Sequence, residues 1–195
     1  MKKAIKRIAA LAMALTIAGA GTSVSGVFSA NVLTAEAATV SANYVSGALL
    51  KRAEFVNWIY IKAQRPNVTD PSVFSDLPNN SQYVKPIMWA YKNGIVSGYA
   101  GGKFGVNDPI TFEQAAQILY NHAKYARRDT SYRPGAAKDY KISDWARRTH
   151  AVDWAVTHNI LLPTDTSNSY NATGLASASV CNQMIKRYEK NILHI

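Results

Sequence analysis

Ile87-Met88-Trp89-Ala90-Tyr91-Lys92-Asn93-Gly94-Ile95 returns 65 residues further on as Val152-Asp153-Trp154-Ala155-Val156-Thr157-His158-Asn159-Ile160. The same offset carries Ile110-Thr111-Phe112-Glu113-Gln114-Ala115-Ala116-Gln117-Ile118-Leu119 onto Leu175-Ala176-Ser177-Ala178-Ser179-Val180-Cys181-Asn182-Gln183-Met184. Upstream, Leu50-Lys51-Arg52-Ala53-Glu54-Phe55-Val56-Asn57-Trp58-Ile59 matches that second element again at an offset of 60. A period of this size marks a repeat whose units bury their apolar faces on one another.

Each full unit reads as helix, long loop, helix. Val84, Ile87, Met88 and Tyr91 recur at spacings of three and four, and the run ends at Asn93-Gly94, a left-handed helix stop. Thr111 begins the second helix, with Gln114 three residues on to complete a capping box. Ala115, Leu119, His122 and Ala123 then form one buried stripe. Gly98, Gly101, Gly102, Gly105 and Pro109 punctuate the connection too heavily for a strand. Residues 38–50 are too few for a further helix and loop, so the first unit holds only its second helix, about 51–64. The third has helices near 144–158 and 176–192, after a surface connection at Arg127–Lys138. The expectation is an all-α fold of five amphipathic helices, divided at 38–64, 65–126 and 127–195, none stable alone.

Ahead of the repeats, Lys2, Lys3, Lys6 and Arg7 precede the apolar run Ile8–Ile17 and a Gly- and Ser-rich stretch, the order of a secretory signal. Ala35-Glu36-Ala37 supplies a small-x-small cut, so residues 1–37 read as a signal peptide and the mature chain as starting at Ala38. The apolar run falls short of the roughly 20 residues of a membrane span, so none is expected after cleavage. The chain carries 22 Lys+Arg against 12 Asp+Glu, and loss of the leader leaves it basic. A basic exported protein suits phosphate- and carboxylate-bearing envelope polymers, with binding that weakens in salt. Its cations are dispersed, which argues against a nucleic-acid partner.

Cys181 is the only cysteine, so no internal disulfide forms; among Val180, Met184, Ile185 and Tyr188 it reads as core. His150, Asp153 and His158 share part of a helical surface but lack a third ligand or a His-Glu-x-x-His pattern. Nucleophile-elbow and phosphate-loop motifs are missing too. No cofactor, metal or catalytic activity is expected.

The residues of the middle unit carry a resemblance. Phe74-Ser75-Asp76-Leu77-Pro78, Ile87-x-Trp89-Ala90, Gly94-Ile95-Val96-Ser97-Gly98-Tyr99, Gly102-Lys103-Phe104 and Ile110-Thr111 resemble, in order and spacing, the S-layer-homology family. The likeness covers about 50–192, strong in 74–124, partial in 50–64 and weak after 139. It implies a three-pronged, pseudo-trimeric helical bundle, with an incomplete first repeat and a degenerate third. It also implies a secreted, wall-associated protein whose grooves bind secondary cell-wall polysaccharide, often bearing a pyruvate ketal. In that family a Thr-Arg-Ala-Glu signature opens each second helix, and its Arg lines the groove with the Gly-Tyr loop. A ketal carboxylate suits the fork of an arginine beside a helix N-terminus, and sugar faces stack on aromatic rings.

Here Lys51-Arg52-Ala53-Glu54 keeps the Arg and Glu, whereas Phe112 and Ser177 stand where the other two arginines belong. The third unit has Asn159 for the glycine and Leu162-Pro163 in place of Gly-Tyr. The expectation is one competent groove, built from Arg52 and Glu54 with Trp89, Gly98, Tyr99 and Lys103. Plainer readings stand beside it. Trp89 and Trp154 also suit a core, Glu54 also suits a helix cap, and Tyr99 and Lys103 also suit loop surface. A first-turn arginine opposes the helix dipole, which favours an anionic partner for Arg52. The alternative is a degenerate repeat scaffold that contacts other envelope proteins.

Overall fold

Arg52–Lys62 (α1) and Val84–Lys92 (α2) are the first helices of the computed structural model, which describes residues 47–195. Phe112–Tyr125 (α3), Asp144–Thr149 (α4), Ala151–Thr157 (α5) and Ala178–Tyr188 (α6) follow, with a 3-10 turn at Pro163–Thr166 and a π-helical turn at Glu189–Leu193. The leader expected at 1–37 lies outside the described residues. Among the described residues there is no β-strand, only isolated bridges, so the all-α expectation holds there.

Local chemistry sets the helix ends. Thr111 Oγ1 accepts from Gln114 N at 3.2 Å and Gln114 Oε1 accepts from Thr111 N at 3.3 Å, the reciprocal cap of α3. Gly94, at φ +67°, ends the α2 region with Ile95 N bonded to Ala90 O. Asn159 takes the same left-handed conformation at φ 54°, with Ile160 N bonded to Ala155 O. Asparagine is among the few residues that tolerate it, so losing the glycine leaves this helix end intact.

The helix expected at 144–158 is two helices, a correction to the sequence reading. His150 takes φ 58° between them, interrupting the ladder. Its ring stacks on Tyr132 with centroids 4.7 Å apart, and Nδ1 lies 3.3 Å from Asp153 Oδ2. His158 bonds instead to Ser131 O through Nε2, so the two histidines serve different anchors of the 127–143 connection.

The segments just ahead of α1, α3 and α6 meet at one hub. Leu50 N donates to Ala176 O (3.2 Å), Ala176 N to Ile110 O (2.8 Å) and Ile110 N to Leu50 O (2.9 Å), which closes a ring. A second ring lies beside it: Arg52 N to Asp108 O, Phe112 N to Gly174 O and Ala178 N to Ala48 O, at 2.9, 3.1 and 2.8 Å. It satisfies first-turn amides that have no partner inside their own helices. Both rings pair residues 51, 111 and 177 as equivalents. Ser177 therefore corresponds to the capping Thr111, and its hydroxyl accepts from Val180 N at 3.3 Å. The residue at the signature-arginine position of the third unit is Ala178, not Ser177, because the third connection is one residue longer than the 65-residue offset allows.

α1 packs on α2, and α3 on α4 and α5, so each second helix lies on the first helix of the following unit. Phe55, Ile87, Leu119, Trp154, Met184 and Tyr188 are fully enclosed in the shared core. Cys181 lies there too, and burial pushes its thiol up to about 12, which removes it from nucleophilic chemistry. His122 is held between units, its Nδ1 2.7 Å from the Tyr188 hydroxyl and its ring tilted against Trp89. Burial lowers its pKa to about 4, so it is neutral at physiological pH.

Candidate functional site

Asp76 builds the loop that shapes the site. Its carboxylate accepts from Phe104 N (2.7 Å), Gly105 N (2.7 Å) and Val106 N (3.1 Å). Burial works against the charge, but these amides outweigh it and hold the carboxyl below its ordinary value. Clamped at one end, the loop doubles back so that Tyr99 N donates to Lys103 O at 2.6 Å. Gly98 sits in the fold of this turn. A Cβ there would come within 2.5 Å of the Phe74 ring and 2.8 Å of Lys103 O, so no other residue fits without displacement.

Arg52 enters beneath that turn from the start of α1. Its side chain is enclosed between rings, with the guanidinium carbon 5.0 Å from the Tyr99 centroid and 4.9 Å from that of Phe104. Nη2 donates to Ser97 O at 2.8 Å. Nε is buried with no hydrogen-bond partner, and no described carboxylate pairs directly with the guanidinium. Burial depresses its pKa, opposed by Tyr99 and by Asp108, yet an arginine so placed keeps its charge. The result is a cation 7% exposed and short of one acceptor.

It lines a cleft of about 260 Å³ whose walls are Ser97, Gly98 and Tyr99 on one side and Gln114, Gln117 and Asn121 of α3 on the other. Gln114 Nε2 donates to the Tyr99 hydroxyl at 3.1 Å, fixing the ring over the arginine, and Asn121 Nδ2 donates to Ile95 O at 3.1 Å. Gln117 Oε1 is a second buried polar atom without a partner. Trp145 of α4 closes the rim with 37% of its surface exposed. It is placed by Glu113, which accepts from Ser143 N (3.0 Å) and Ser143 Oγ (2.8 Å) where α4 begins. An acceptor-seeking cation, three side-chain amides and two aromatic faces form a set suited to a sugar bearing an anion.

Of the residues expected in the groove, the structure brings Arg52, Gly98 and Tyr99 to the cleft. Lys103 contributes its carbonyl to the turn, while its side chain is exposed away from the lining. Glu54 lies elsewhere: its Oε2 accepts from Lys51 N at 2.9 Å, capping the helix that presents Arg52. Trp89 also lies elsewhere, 3% exposed in the core with Tyr60 and Tyr125 against it, because its position on α2 faces inward. Sequence reasoning missed Trp145, Gln117 and Asn121. The α3 pair sits one turn apart on the face beside the buried stripe, a spacing visible in the sequence; Trp145 has no such signal, since it arrives from the following unit.

Residues 73–116 match the family model of the S-layer homology domain, a stretch running from the Phe74-Ser75-Asp76 clamp through the Gly98-Tyr99 turn into α3. Domains of this class are non-catalytic modules that bind cell-wall components and anchor proteins at the cell surface. No curated protein matches the chain. Among the described residues, no helix is long and apolar enough to cross a membrane.

Proposed function

We propose that this chain is exported, loses residues 1–37, and attaches to an anionic secondary cell-wall polysaccharide through the cleft at Arg52. The polymer's carboxylate, such as a pyruvate ketal, pairs with the guanidinium, and its pyranose faces lie on Tyr99 and Trp145. In this reading the three units stand as prongs of a pseudo-trimer around the hub, the first incomplete and the third degenerate. The observation that carries the proposal is a buried arginine that lines an open cleft and has no direct carboxylate partner among the described residues.

Co-sedimentation with purified wall polymer tests this. Arg52→Ala is expected to reduce retention at least about tenfold, since a hydrogen bond to a charged group contributes roughly 1.5–3 kcal/mol. Equal retention of variant and parent removes this cleft from the function. The replacement of two signature arginines by Phe112 and Ala178 favours a second reading, a scaffold that binds other envelope proteins. Self-association or capture by one envelope protein, without polymer binding, identifies that case.

A further inference from the structure

A second cleft, of about 320 Å³, opens between Phe112, Asp165, Asn171 and Ser177, with Leu49 and Leu175 at its edge. The hub register relates part of it to the first, with Phe112 in the place of Arg52 and Val180 in that of Gln114. Arg187 of α6 holds the position of Asn121 of α3. The side chains agree: Asn121 Nδ2 donates to Ile95 O, and Arg187 Nη1 donates to the corresponding Ile160 O at 3.0 Å. The second cleft has thus lost the cation beneath its turn; its lining holds Asp165, while Arg187 is paired to that carboxylate and stands outside the lining.

Arg187 Nη1 donates to Asp165 Oδ2 at 2.6 Å and Nη2 to Asp165 Oδ1 at 2.9 Å, a two-pronged ion pair. The Asp165 side chain is 3% exposed and also accepts from Leu162 N at 2.8 Å, which fixes it at the start of the 3-10 turn. Arg187 keeps 21% exposure. Where the first cleft is lined by an arginine with no carboxylate partner, the second is lined by a carboxylate, and the arginine next to it is already held by that carboxylate.

We propose that Asp165 is an internal counter-ion that holds Arg187 and excludes anionic ligands from the second cleft, and so is the residue that sets different specificities for the two clefts. This rests on the reading of the Arg52 cleft as an anion site. An incoming carboxylate meets the negative charge of Asp165 and reaches Arg187 only by displacing both prongs of a desolvated pair. Without Asp165, the guanidinium is left as an uncompensated cation that takes a carboxylate from solution.

The full-length chain is melted as parent, Asp165→Ala, Asp165→Asn and Asp165→Ala/Arg187→Met, in sodium acetate and in sodium chloride at equal ionic strength. Acetate at about 100 mM is expected to raise the melting temperature of Asp165→Ala by about 2–4 °C over chloride, and to leave the parent and the double variant unmoved. Asp165→Asn keeps an acceptor for Leu162 N and is expected to show the same rise if the alanine variant does not fold. No acetate-specific rise in the foldable single variant, or an equal rise in the double variant, overturns the proposal. In polymer sedimentation, Arg52→Ala/Asp165→Ala is expected to be retained at least about threefold better than Arg52→Ala. The acetate comparison does not involve Arg52, so a failure of the first cleft's assignment and a failure of this one give different results.

Discussion

At the scale of the residue, the site depends on side chains that each do two things. Gln114 caps α3 through Oε1 and steadies Tyr99 through Nε2. Glu113 supplies the acidic residue of the first turn of α3 and fixes Ser143, and through it the placement of Trp145. Trp145 is the residue whose removal best separates binding from folding, because over a third of it is exposed while its neighbour Ala146 is enclosed. Trp145→Ala is expected to weaken polymer retention about tenfold, with Trp145→Phe intermediate and the melting temperature little changed. A loss of retention matched by a loss of stability would assign Trp145 to the core. The placing of Arg52 beside the Gly98-Tyr99 turn was legible only through the family resemblance, whose motifs are contiguous residues at fixed spacing. Glu54 and Trp89 were ambiguous for a physical reason. A glutamate three residues inside a helix caps as readily as it binds, and a tryptophan in register with an apolar stripe buries before it presents a face.

At the scale of the element, the glycine-rich loop is held by one carboxylate rather than by its own contacts. Asp76 gathers three consecutive amides, and the turn bearing Gly98 and Tyr99 follows from that anchor. Asp76→Asn keeps the shape but loses the charge and is expected to destabilise the chain by about 1–3 kcal/mol and to weaken polymer binding with it. The parent's dependence on pH has a definite sign. The folded carboxyl sits below its ordinary value of 3.8, so its contribution is fully present above that pH and is lost as the pH falls through the lower folded value. Denaturant titrations below pH 4 are expected to show this loss in the parent and not in Asp76→Asn. Helix type and approximate position were readable from periodicity and caps. The break at His150 was not, since nothing in the apolar spacing of 144–158 marks a left-handed residue. The one-residue slip ahead of Ser177 was hidden as well, and with it the correspondence of Arg187 to Asn121, because a lengthened loop leaves no trace in the helix it precedes.

For the whole molecule, the interior joins units through His122, whose ring meets Tyr188 of the last unit and Trp89 of the middle one. Its folded pKa of about 4 lies below the ordinary 6.5, so between those values the unfolded chain takes up a proton that the folded chain refuses. Stability is expected to fall as the pH drops from about 6.5 to 4, by up to about 1.4 kcal/mol per pH unit, well above the window of Asp76. Urea titrations at pH 7 and 4.5 check it: His122→Gln is expected to lose less stability between the two than the parent does, even if it starts lower. A parent curve flat across that interval would mean that the ring protonates without penalty.

The paired hub rings have a consequence for dissection of the chain. Neighbouring units are joined at the hub by intervening loops, but the contact of Leu50 with Ala176 is a seam between segments at opposite ends of the described chain. A fragment ending before residue 176 strands the amide of Leu50 and the carbonyl of Ile110 together, so the units are not beads that survive excision one at a time. A circular permutant that keeps all three segments, cut in the exposed stretch near Arg133 and Pro134, retains every hydrogen bond of the seam.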